Sequence, residues 1–252
     1  MGTTGALAGV SCARFDQGGI GAFDDLRIFD IGQVTPPVGP FNTVSQVFFS
    51  EDQSRLHVTF KGNAALNING FLSTFLVVRQ ANGLIGLGRQ GVRSFPQGLN
   101  QLFGAQIIPG TGNIFVSDPS FGGAILSIDN NSLLASTVSL GNIAGQFGTS
   151  FAAISPLTNS VFVTDIGRQQ LVELSLIDAS VIGVLNLAGL SAVGFIDVVA
   201  INGMVFVLSA DVVPQVLVID ARFGIARARV IQNFNLGVLG LGVNAQGLAL
   251  LL

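Results

Sequence analysis

The sequence contains no tyrosine and no tryptophan, and three chemically important residue types occur only once. Cys12, His57 and Lys61 are the single cysteine, histidine and lysine among 252 residues. One cysteine excludes an internal disulfide, so Cys12 is interpreted as a free buried thiol. Because His57 lies in a strand-like alternation of apolar and polar residues, a catalytic pair of cysteine and histidine is not expected.

Charged residues are also scarce. They make up 10% of the chain, with a formal net charge of −3, whereas ordinary soluble domains contain about 25% charged residues. Nucleic-acid binding is not expected, because it depends on a basic surface that this sequence lacks. A weakly charged surface is only weakly repelled by its own copies, which favours self-association or an apolar partner.

No segment has the pattern of a signal peptide or of a membrane-spanning helix. The N-terminal residues have neither a basic leader nor a long apolar core. The most apolar stretch, residues 181–208, is interrupted by Asn186, Asp197, Asn202 and several glycines. A spanning helix needs about 20 mostly apolar residues. We therefore expect buried strands there and no membrane span.

The sequence does contain an internal repeat. Clear copies cover residues 104–129, 151–178 and 195–220, and a looser copy covers residues 43–78. Each has an apolar strand, a turn rich in Pro, Gly or Asn, a Phe/Val strand, a loop and a third apolar strand. Such a unit cannot bury its own apolar faces, so a repeat of this length is typical of radial or stacked architectures.

Each copy can be divided into the four strands of a β-propeller blade. In the best copy the predicted strands are residues 151–155, 161–164, 171–176 and 180–187. We therefore predict an all-β fold, a single β-propeller domain over residues 1–252 with about five four-stranded antiparallel blades. The C-terminal strand is expected to complete the first blade, which would close the ring and remove exposed sheet edges.

The amino-acid sequence of the repeats resembles that of a known family. The segments GTTGALAGVSCARF, FGAQIIPGTGNIFVSD and AISPLTNSVFVTDIGRQQLVELSLIDASVIG are similar to secreted fungal proteins named 3-carboxymuconate cyclase-like, within the lactonase-type propellers. The resemblance implies secretion, seven blades and a longer chain with a signal peptide. Ser150 stands where the family has a cysteine, so the disulfide to Cys12 that the resemblance implies has no second cysteine here, and Phe151 stands where the family has a tryptophan.

The resemblance does not identify catalytic residues in this chain. An enzyme that lactonises muconate would be expected to use histidine, arginine and glutamate around its central channel. The chain has one histidine and two glutamates, Glu51 and Glu173, and none matches a family motif. Glu51 is expected in an outer turn, and Glu173 is expected in the middle of a third strand, away from the axis.

Three functions remain open from the sequence. The favoured interpretation is a non-enzymatic propeller, secreted or associated with the cell wall, that binds an extracellular partner or assembles with itself. The alternatives are a lactonase or cycloisomerase that works at the channel mouth, and a module that binds a small polar ligand or Ca²⁺. No other cofactor is expected.

Polar residues recur at one position of the innermost strands. This column comprises Gln46, Gln106, Ala153, Asp197 and Gln246. The residues that follow the second strand of each copy are Asp118, Asp165 and Asp211, with Lys61 at the matching point. Such amides and carboxylates around an axis can bind a sugar, a polar metabolite or Ca²⁺. The alternative is a water-filled channel with aspartates that cap turns.

Two local patterns complete the sequence evidence. Several aspartates cluster near the N-terminus, but their spacing is not that of a regular calcium loop, so a salt-bridged loop is favoured. They are Asp16, Asp24, Asp25 and Asp30, close to Arg14 and Arg27. The single N-glycosylation sequon begins at Asn130, in a predicted turn. It favours glycosylation at Asn130 and an extracellular location.

Overall fold

The computed structural model describes residues 1–79, 85–210 and 213–249. Among these residues the regular structure consists of β-strands and three short 3₁₀ helices, with no α-helix. This confirms the predicted all-β class. The chain divides into two compact units. The first comprises Met1–Phe103, Pro109–Asn113 and Leu126–Thr137, and the second comprises Gly104–Ile108, Ile114–Ile125 and Val138–Leu252. A single domain over residues 1–252 stays a prediction.

The first unit begins with short strands. They are β1 (Gly2–Thr3), β2 (Gly9–Val10), β3 (Ala13–Asp16), β4 (Gly19–Phe23) and β5 (Arg27–Ile28). Strands β1, β2 and β5 form a three-stranded sheet in that order, and β3 and β4 form a separate antiparallel hairpin. The hairpin has exposed apolar side chains, such as Phe15, which is 80% exposed.

The looser sequence repeat forms the main sheet of the first unit. Its strands are β6 (Thr43–Phe49), β7 (Arg55–Lys61), β8 (Phe71–Arg79), β9 (Ile85–Leu87) and β10 (Val92–Ser94). The order is β10-β8-β7-β6, and β9 pairs with the end of β8. The 3₁₀ helix Ala64–Leu66 joins β7 to β8. Phe29, Phe60 and Phe71 pack together in an apolar cluster, with the Phe60 and Phe71 ring centroids 4.5 Å apart.

The three clear repeats form the remaining sheets. The first has β11 (Ala105–Ile107), β12 (Ile114–Asp118), β13 (Gly122–Ile128) and β14 (Ala135–Asn142). The second has β15 (Thr149–Ser155), β16 (Ser160–Asp165), β17 (Gln170–Ser175) and β18 (Val181–Asn186). The third has β19 (Phe195–Ile201), β20 (Met204–Ser209), β21 (Gln215–Asp220) and β22 (Arg229–Asn235). In each sheet the strands follow chain order and are antiparallel, as predicted for propeller blades.

The turn between β15 and β16 illustrates why the strand boundaries could be read from the sequence. Strand β15 ends at Ser155, before Pro156, and β16 begins at Ser160, after Asn159. Asn159 has a left-handed φ of 50°, a conformation that asparagine tolerates better than branched residues. Each predicted strand of this blade therefore differs from the observed strand by two residues at most.

The sheets of the second unit bury apolar residues on both faces. Along β16, Val161 and Val163 belong to one apolar cluster, which includes Phe115 and Ile125. Phe162, between them, belongs to the other cluster, which includes Phe195 and others from the last sheet. Since neighbouring side chains on a strand point to opposite faces, a strand with a sheet on each side is apolar at every position. The continuous Val-Phe-Val run is explained by this arrangement.

Two 3₁₀ helices lie near the end of the chain, Ile225–Arg227 and Leu236–Leu239. The predicted closing strand falls on residues 244–252. Residues 244–249 form no strand, and residues 250–252 lie outside the described part of the chain. Closure of the ring and the number of blades therefore stay predictions.

Candidate active site

Two loops of the sheet β15–β18 form a cavity in the second unit. The loop between β16 and β17 (residues 166–169) faces the segment between β18 and β19 (residues 187–194), and the space between them is about 640 Å³. The lining residues are Ile166, Gly167, Arg168, Gln169, Gln170, Val184, Asn186, Ala188, Val193 and Gly194. We call this space the loop-face cavity.

Asp165 fixes the first of these loops. Its Oδ1 accepts hydrogen bonds from the backbone N–H groups of Gly167 (3.1 Å) and Arg168 (3.2 Å). Its Oδ2 accepts from the backbone N–H of Phe147 (2.8 Å) and from the amide Nε2 of Gln170 (3.0 Å). Four donors around one buried carboxylate hold the loop in a single conformation. Asp165 is thus a structural support of the cavity.

Glycine is required at position 167. A Cβ atom built there would lie 2.1 Å from Cδ1 of the Phe147 ring and 2.3 Å from the Phe147 carbonyl oxygen. The close approach lets the loop pass directly over Phe147, and it explains why the loop residue before Arg168 has no side chain.

The second loop is tied to the first by side-chain amides. The Nε2 of Gln169 donates to the carbonyl oxygens of Leu190 (3.1 Å) and Ala192 (3.0 Å). Asn186 Oδ1 accepts from the backbone N–H of Ala188 at 2.8 Å. These bonds preorganise the cavity before any ligand enters, which reduces the entropy cost of binding.

Arg168 supplies the charge of the loop-face cavity. It is exposed, and among the described residues that line the cavity it is the one with a charged side chain. A planar guanidinium pairs with carboxylate or phosphate through two parallel hydrogen bonds. It can also stabilise negative charge that develops on a carbonyl oxygen. The sequence reasoning missed Arg168, although its position directly after the capping sequence Asp165–Gly167 is a signal that could have found it.

The predicted ligand residues divide between the two units. Gln46 belongs to the first unit, where it lies in a register irregularity of β6 between Val44 and Val47. The others belong to the second unit: Gln106, Asp118, Asp165, Asp197 and Gln246. The structure does not assemble these five into the loop-face cavity, since none of them lines it.

Gln106 and Asp197 of the predicted column bind backbone groups. Gln106 Oε1 accepts from the backbone N–H of Ile154 at 2.8 Å, which links β11 to β15. Asp197 Oδ2 accepts from the backbone N–H of Leu248 at 2.7 Å. Gln246 is exposed and lies outside any strand, which corrects its predicted place in an innermost strand. The column therefore serves partly to connect neighbouring segments.

The other predicted loop positions also have local roles. Asp118 is fully buried, and its Oδ1 accepts from the backbone N–H (2.9 Å) and hydroxyl (2.6 Å) of Ser120. This is the turn-capping role that we gave as the alternative to ligand binding. Asp211 lies outside the described residues. Among those described, no group of three or more His, Cys, Asp or Glu side chains is placed to hold a metal ion.

Lys61 lies at the end of β7 in the first unit. Its Nζ is 4.3 Å from the centroid of the Phe103 ring, a favourable cation–π contact. Burial lowers the pKa of Lys61 to about 8, because desolvation disfavours the charged amine. A considerable fraction of this amine is therefore neutral at mildly alkaline pH.

His57 and the two glutamates do not form an acid–base set. His57 is buried, its Nδ1 is 3.1 Å from the Thr74 hydroxyl, and burial followed by the charge of Arg55 lowers its pKa to about 4. Glu51 accepts from the backbone N–H of Gly110 at 2.9 Å in an exposed turn, as predicted.

Glu173 is also structural. It lies in the middle of β17, as predicted, and it is 2% exposed. Its Oε2 accepts from the backbone N–H of Ile225 at 2.6 Å, and its Oε1 accepts from the Ser160 hydroxyl. The first bond joins the sheet β15–β18 to the 3₁₀ helix Ile225–Arg227, and the second joins β17 to β16 within the sheet.

The remaining sequence features lie on the surface of the first unit. Cys12 is free and only partly buried, which corrects the prediction of a buried thiol; burial and the charge of Asp24 raise its pKa. The predicted salt-bridged loop contains an ion pair of 2.7 Å between Arg27 and Asp24. Asn130 lies in the exposed turn between β13 and β14, where its Oδ1 accepts from Arg55 at 2.9 Å.

No family model matches the sequence, and no curated protein sequence matches it. Solved structures do match the fold. A protein from Lactobacillus plantarum has a TM-score of 0.64 at 12% identity. The periplasmic gluconolactonase of Pseudomonas aeruginosa has 0.62 at 14%. A protein from Bacteroides uniformis, named as a 6-phosphogluconolactonase, has 0.60 at 11%.

These matches cover 92%, 91% and 91% of this chain, and the chain spans 66%, 65% and 65% of the length of those structures. At such low identity the likeness establishes the fold alone. The protein has an all-β fold of antiparallel sheets whose structural neighbours are β-propellers. No helix within the described residues is both long and apolar enough to cross a membrane.

The comparisons contradict the favoured interpretation of a non-enzymatic propeller that binds or self-assembles. Two of the three structures above are named as lactonases, which supports the enzymatic alternative. The error has a physical origin: low surface charge influences solubility and association, but it carries no information about the chemistry of a site.

Proposed function

We propose that this protein is a lactonase-type enzyme, which opens a lactone ring with water in the loop-face cavity. The carrying observation is the match of about nine tenths of the chain to propellers named as gluconolactonase and 6-phosphogluconolactonase. The loop-face cavity adds a preorganised space of about 640 Å³ with one guanidinium and several amides. Such a lining suits a polar, hydroxyl-rich acid and its lactone.

The proposed reaction begins when the oxygen of a water molecule attacks the lactone carbonyl carbon. The carbonyl oxygen then becomes negatively charged, and the Arg168 guanidinium stabilises this charge. The bond between the carbonyl carbon and the ring oxygen breaks, and the ring oxygen takes the proton that the attacking water loses, which makes it a hydroxyl group. The product is a hydroxy acid, which releases one proton to solution at neutral pH.

Arg168 favours the transition state over the neutral lactone, because its charge has an anionic partner only after the attack. No histidine, aspartate or glutamate is among the described residues that line the cavity, so the proposal relies on electrostatic stabilisation. Removal of one such donor lowers kcat by about 10²- to 10³-fold in other enzymes. We expect Arg168→Gln to lose activity by about 10²-fold.

The test is proton release in a pH-stat with glucono-1,5-lactone and with its 6-phosphate. The control is Arg227→Gln, which removes an exposed arginine of the second unit that does not line the cavity. We expect the parent protein and the control to exceed the buffer rate equally and Arg168→Gln to fall towards that rate. A parent protein no faster than buffer with either lactone refutes the proposal.

We also propose that the protein is extracellular. The resemblance to secreted fungal proteins and the exposed sequon at Asn130 support this. Mass spectrometry of protein from the medium of a fungal host, before and after treatment with an N-glycosidase, tests it. Protein retained in the cells without a glycan would contradict the proposal.

A further inference from the structure

A second cavity, in the first unit, is rich in arginine. It has a volume of about 230 Å³ and lies beside β5, β8 and β10. The lining residues are Arg27, Ile28, Phe29, Ser73, Phe75, Arg89, Gln90, Gly91 and Arg93. Three of these described residues are arginines and none is acidic. We call this space the arginine cavity.

Ser73 provides an unused hydrogen-bond donor in this cavity. It lies on β8 opposite Arg93 of β10, and it is 1% exposed. Its Oγ has no hydrogen-bond partner among the described residues. A buried hydroxyl without a partner costs about 1–3 kcal/mol, so such groups in folded proteins normally serve a ligand or an ordered water.

Gly91 packs closely against this hydroxyl. A Cβ atom built at Gly91 would lie 2.7 Å from Ser73 Oγ and 2.7 Å from Cζ of the Phe75 ring. Any side chain at this position would therefore collide with the hydroxyl and with the Phe75 ring. The absence of a side chain lets the segment before β10 pass directly beside Ser73 at the wall of the cavity.

The three guanidinium groups are held differently. Arg27 is fixed by Asp24 at 2.7 Å and by the carbonyl oxygens of Gly88 (3.0 Å) and Leu87 (2.9 Å). Asp24 therefore balances the charge of Arg27.

Aromatic rings position the second guanidinium. The Cζ of Arg93 lies 4.9 Å from the centroid of Phe71 and 5.4 Å from that of Phe29, which orients it by cation–π contact. Arg89 is exposed. The ion pairs of the described residues give neither Arg89 nor Arg93 a carboxylate partner. The cavity therefore has two arginine charges, those of Arg89 and Arg93, and a hydroxyl without a partner, and this combination suits an anionic ligand.

We propose that the arginine cavity binds a phosphate group, either as inorganic phosphate or as a phosphate monoester. A tetrahedral phosphate has several acceptor oxygens, so different oxygens can accept from the Arg89 and Arg93 guanidinium groups and from the Ser73 hydroxyl. A volume of about 230 Å³ accommodates the phosphate group with a small organic substituent. This proposal does not depend on lactonase activity, because Arg168 is not among the residues that line the arginine cavity.

The test is isothermal titration of the whole protein at low ionic strength, where charge interactions are least screened. The probes are inorganic phosphate, glycerol 3-phosphate and, as a planar anion, acetate. We expect phosphate to bind with a Kd of about 1 mM or below and acetate to bind at least about tenfold more weakly. Tighter binding of glycerol 3-phosphate than of inorganic phosphate would identify a monoester as the ligand, and the reverse order would identify the free anion.

Two variants locate the binding. Ser73→Ala removes only the hydroxyl, and Arg89→Gln changes an exposed side chain, so both variants are expected to fold. Each should weaken phosphate binding by about tenfold, whereas Arg227→Gln should leave it unchanged. Absence of binding at about 10 mM phosphate, acetate binding as tight as phosphate, or equal weakening by Arg227→Gln would each overturn the proposal.

Discussion

The single histidine provides the sharpest test of the packing in the first unit. His57 is 1% exposed, and its pKa falls from 6.5 to about 4, chiefly through burial and then through the nearby charge of Arg55. In the unfolded chain the imidazole takes up a proton near pH 6.5, whereas in the folded protein it stays neutral down to about pH 4. The unfolded state therefore binds more protons throughout this interval, and the free energy of unfolding decreases as the pH is lowered.

The size of this effect follows from the two pKa values. A pKa of about 4 instead of 6.5 corresponds to a loss of about 3 kcal/mol between pH 7 and pH 4. This is a considerable part of the 5–15 kcal/mol or so that stabilises a typical domain. The variant His57→Asn keeps a polar group near the Thr74 hydroxyl but cannot take up the proton, so it should lack this part of the acid sensitivity.

Proton NMR can measure the pKa directly, because the Cε1 proton of the only histidine gives one resonance. We expect its titration midpoint near pH 4. Urea unfolding of the parent protein and of His57→Asn at several pH values measures the loss of stability. The carboxylates contribute equally in both proteins, so the difference between the two gives the contribution of His57. A midpoint at or above 6.5, or identical acid sensitivity of the two proteins, would refute the burial of His57.

Three further predictions concern other buried groups. Since the pKa of Lys61 is about 8 in the folded protein and 10.5 for a lysine side chain in water, stability should rise by about 3 kcal/mol between pH 8 and 10.5, and Lys61→Met should abolish the rise in urea unfolding. Glu173→Ala leaves the Ile225 N–H and the Ser160 hydroxyl without their buried acceptor, so unfolding should require about 2–4 kcal/mol less; an exposed-site change, Glu51→Ala, is the control. Phe162→Ala creates a cavity at a fully buried position and should cost about 3–5 kcal/mol; a melting temperature equal to that of the parent would contradict the packing of β16.

The strands could be predicted because their determinants are local. In β16 the apolar run is bounded by Asn159 and Asp165, and such turn and capping residues define strand ends without reference to the rest of the chain. The same reasoning failed at Gln246, because a polar residue flanked by apolar ones reads as a strand whether or not a partner strand is present.

The candidate site was less accessible to sequence reasoning. The repeat pattern identified Asp118 and Asp165 as recurrent positions, but it did not distinguish a ligand-binding carboxylate from one that accepts nearby N–H groups. Arg168 was missed because one loop arginine has no counterpart in the other repeats. Arg168 lines the cavity because Asp165 and Gln169 hold the surrounding loops in place through their hydrogen bonds.

The sequence by itself determined the all-β class, the four-stranded units and the order of their strands, because alternation, turn residues and repeat length act over a few residues at a time. The tertiary structure alone decided which polar groups are satisfied. The carboxylate of Asp165 is saturated by donors from Gly167, Arg168, Gln170 and Phe147, whereas the buried hydroxyl of Ser73, in a cavity also lined by arginines, has no partner among the described residues. Three of these donors lie within five residues of Asp165, but the Phe147 N–H and the residues around Ser73 come from other segments of the chain. A local pattern does not contain those contacts.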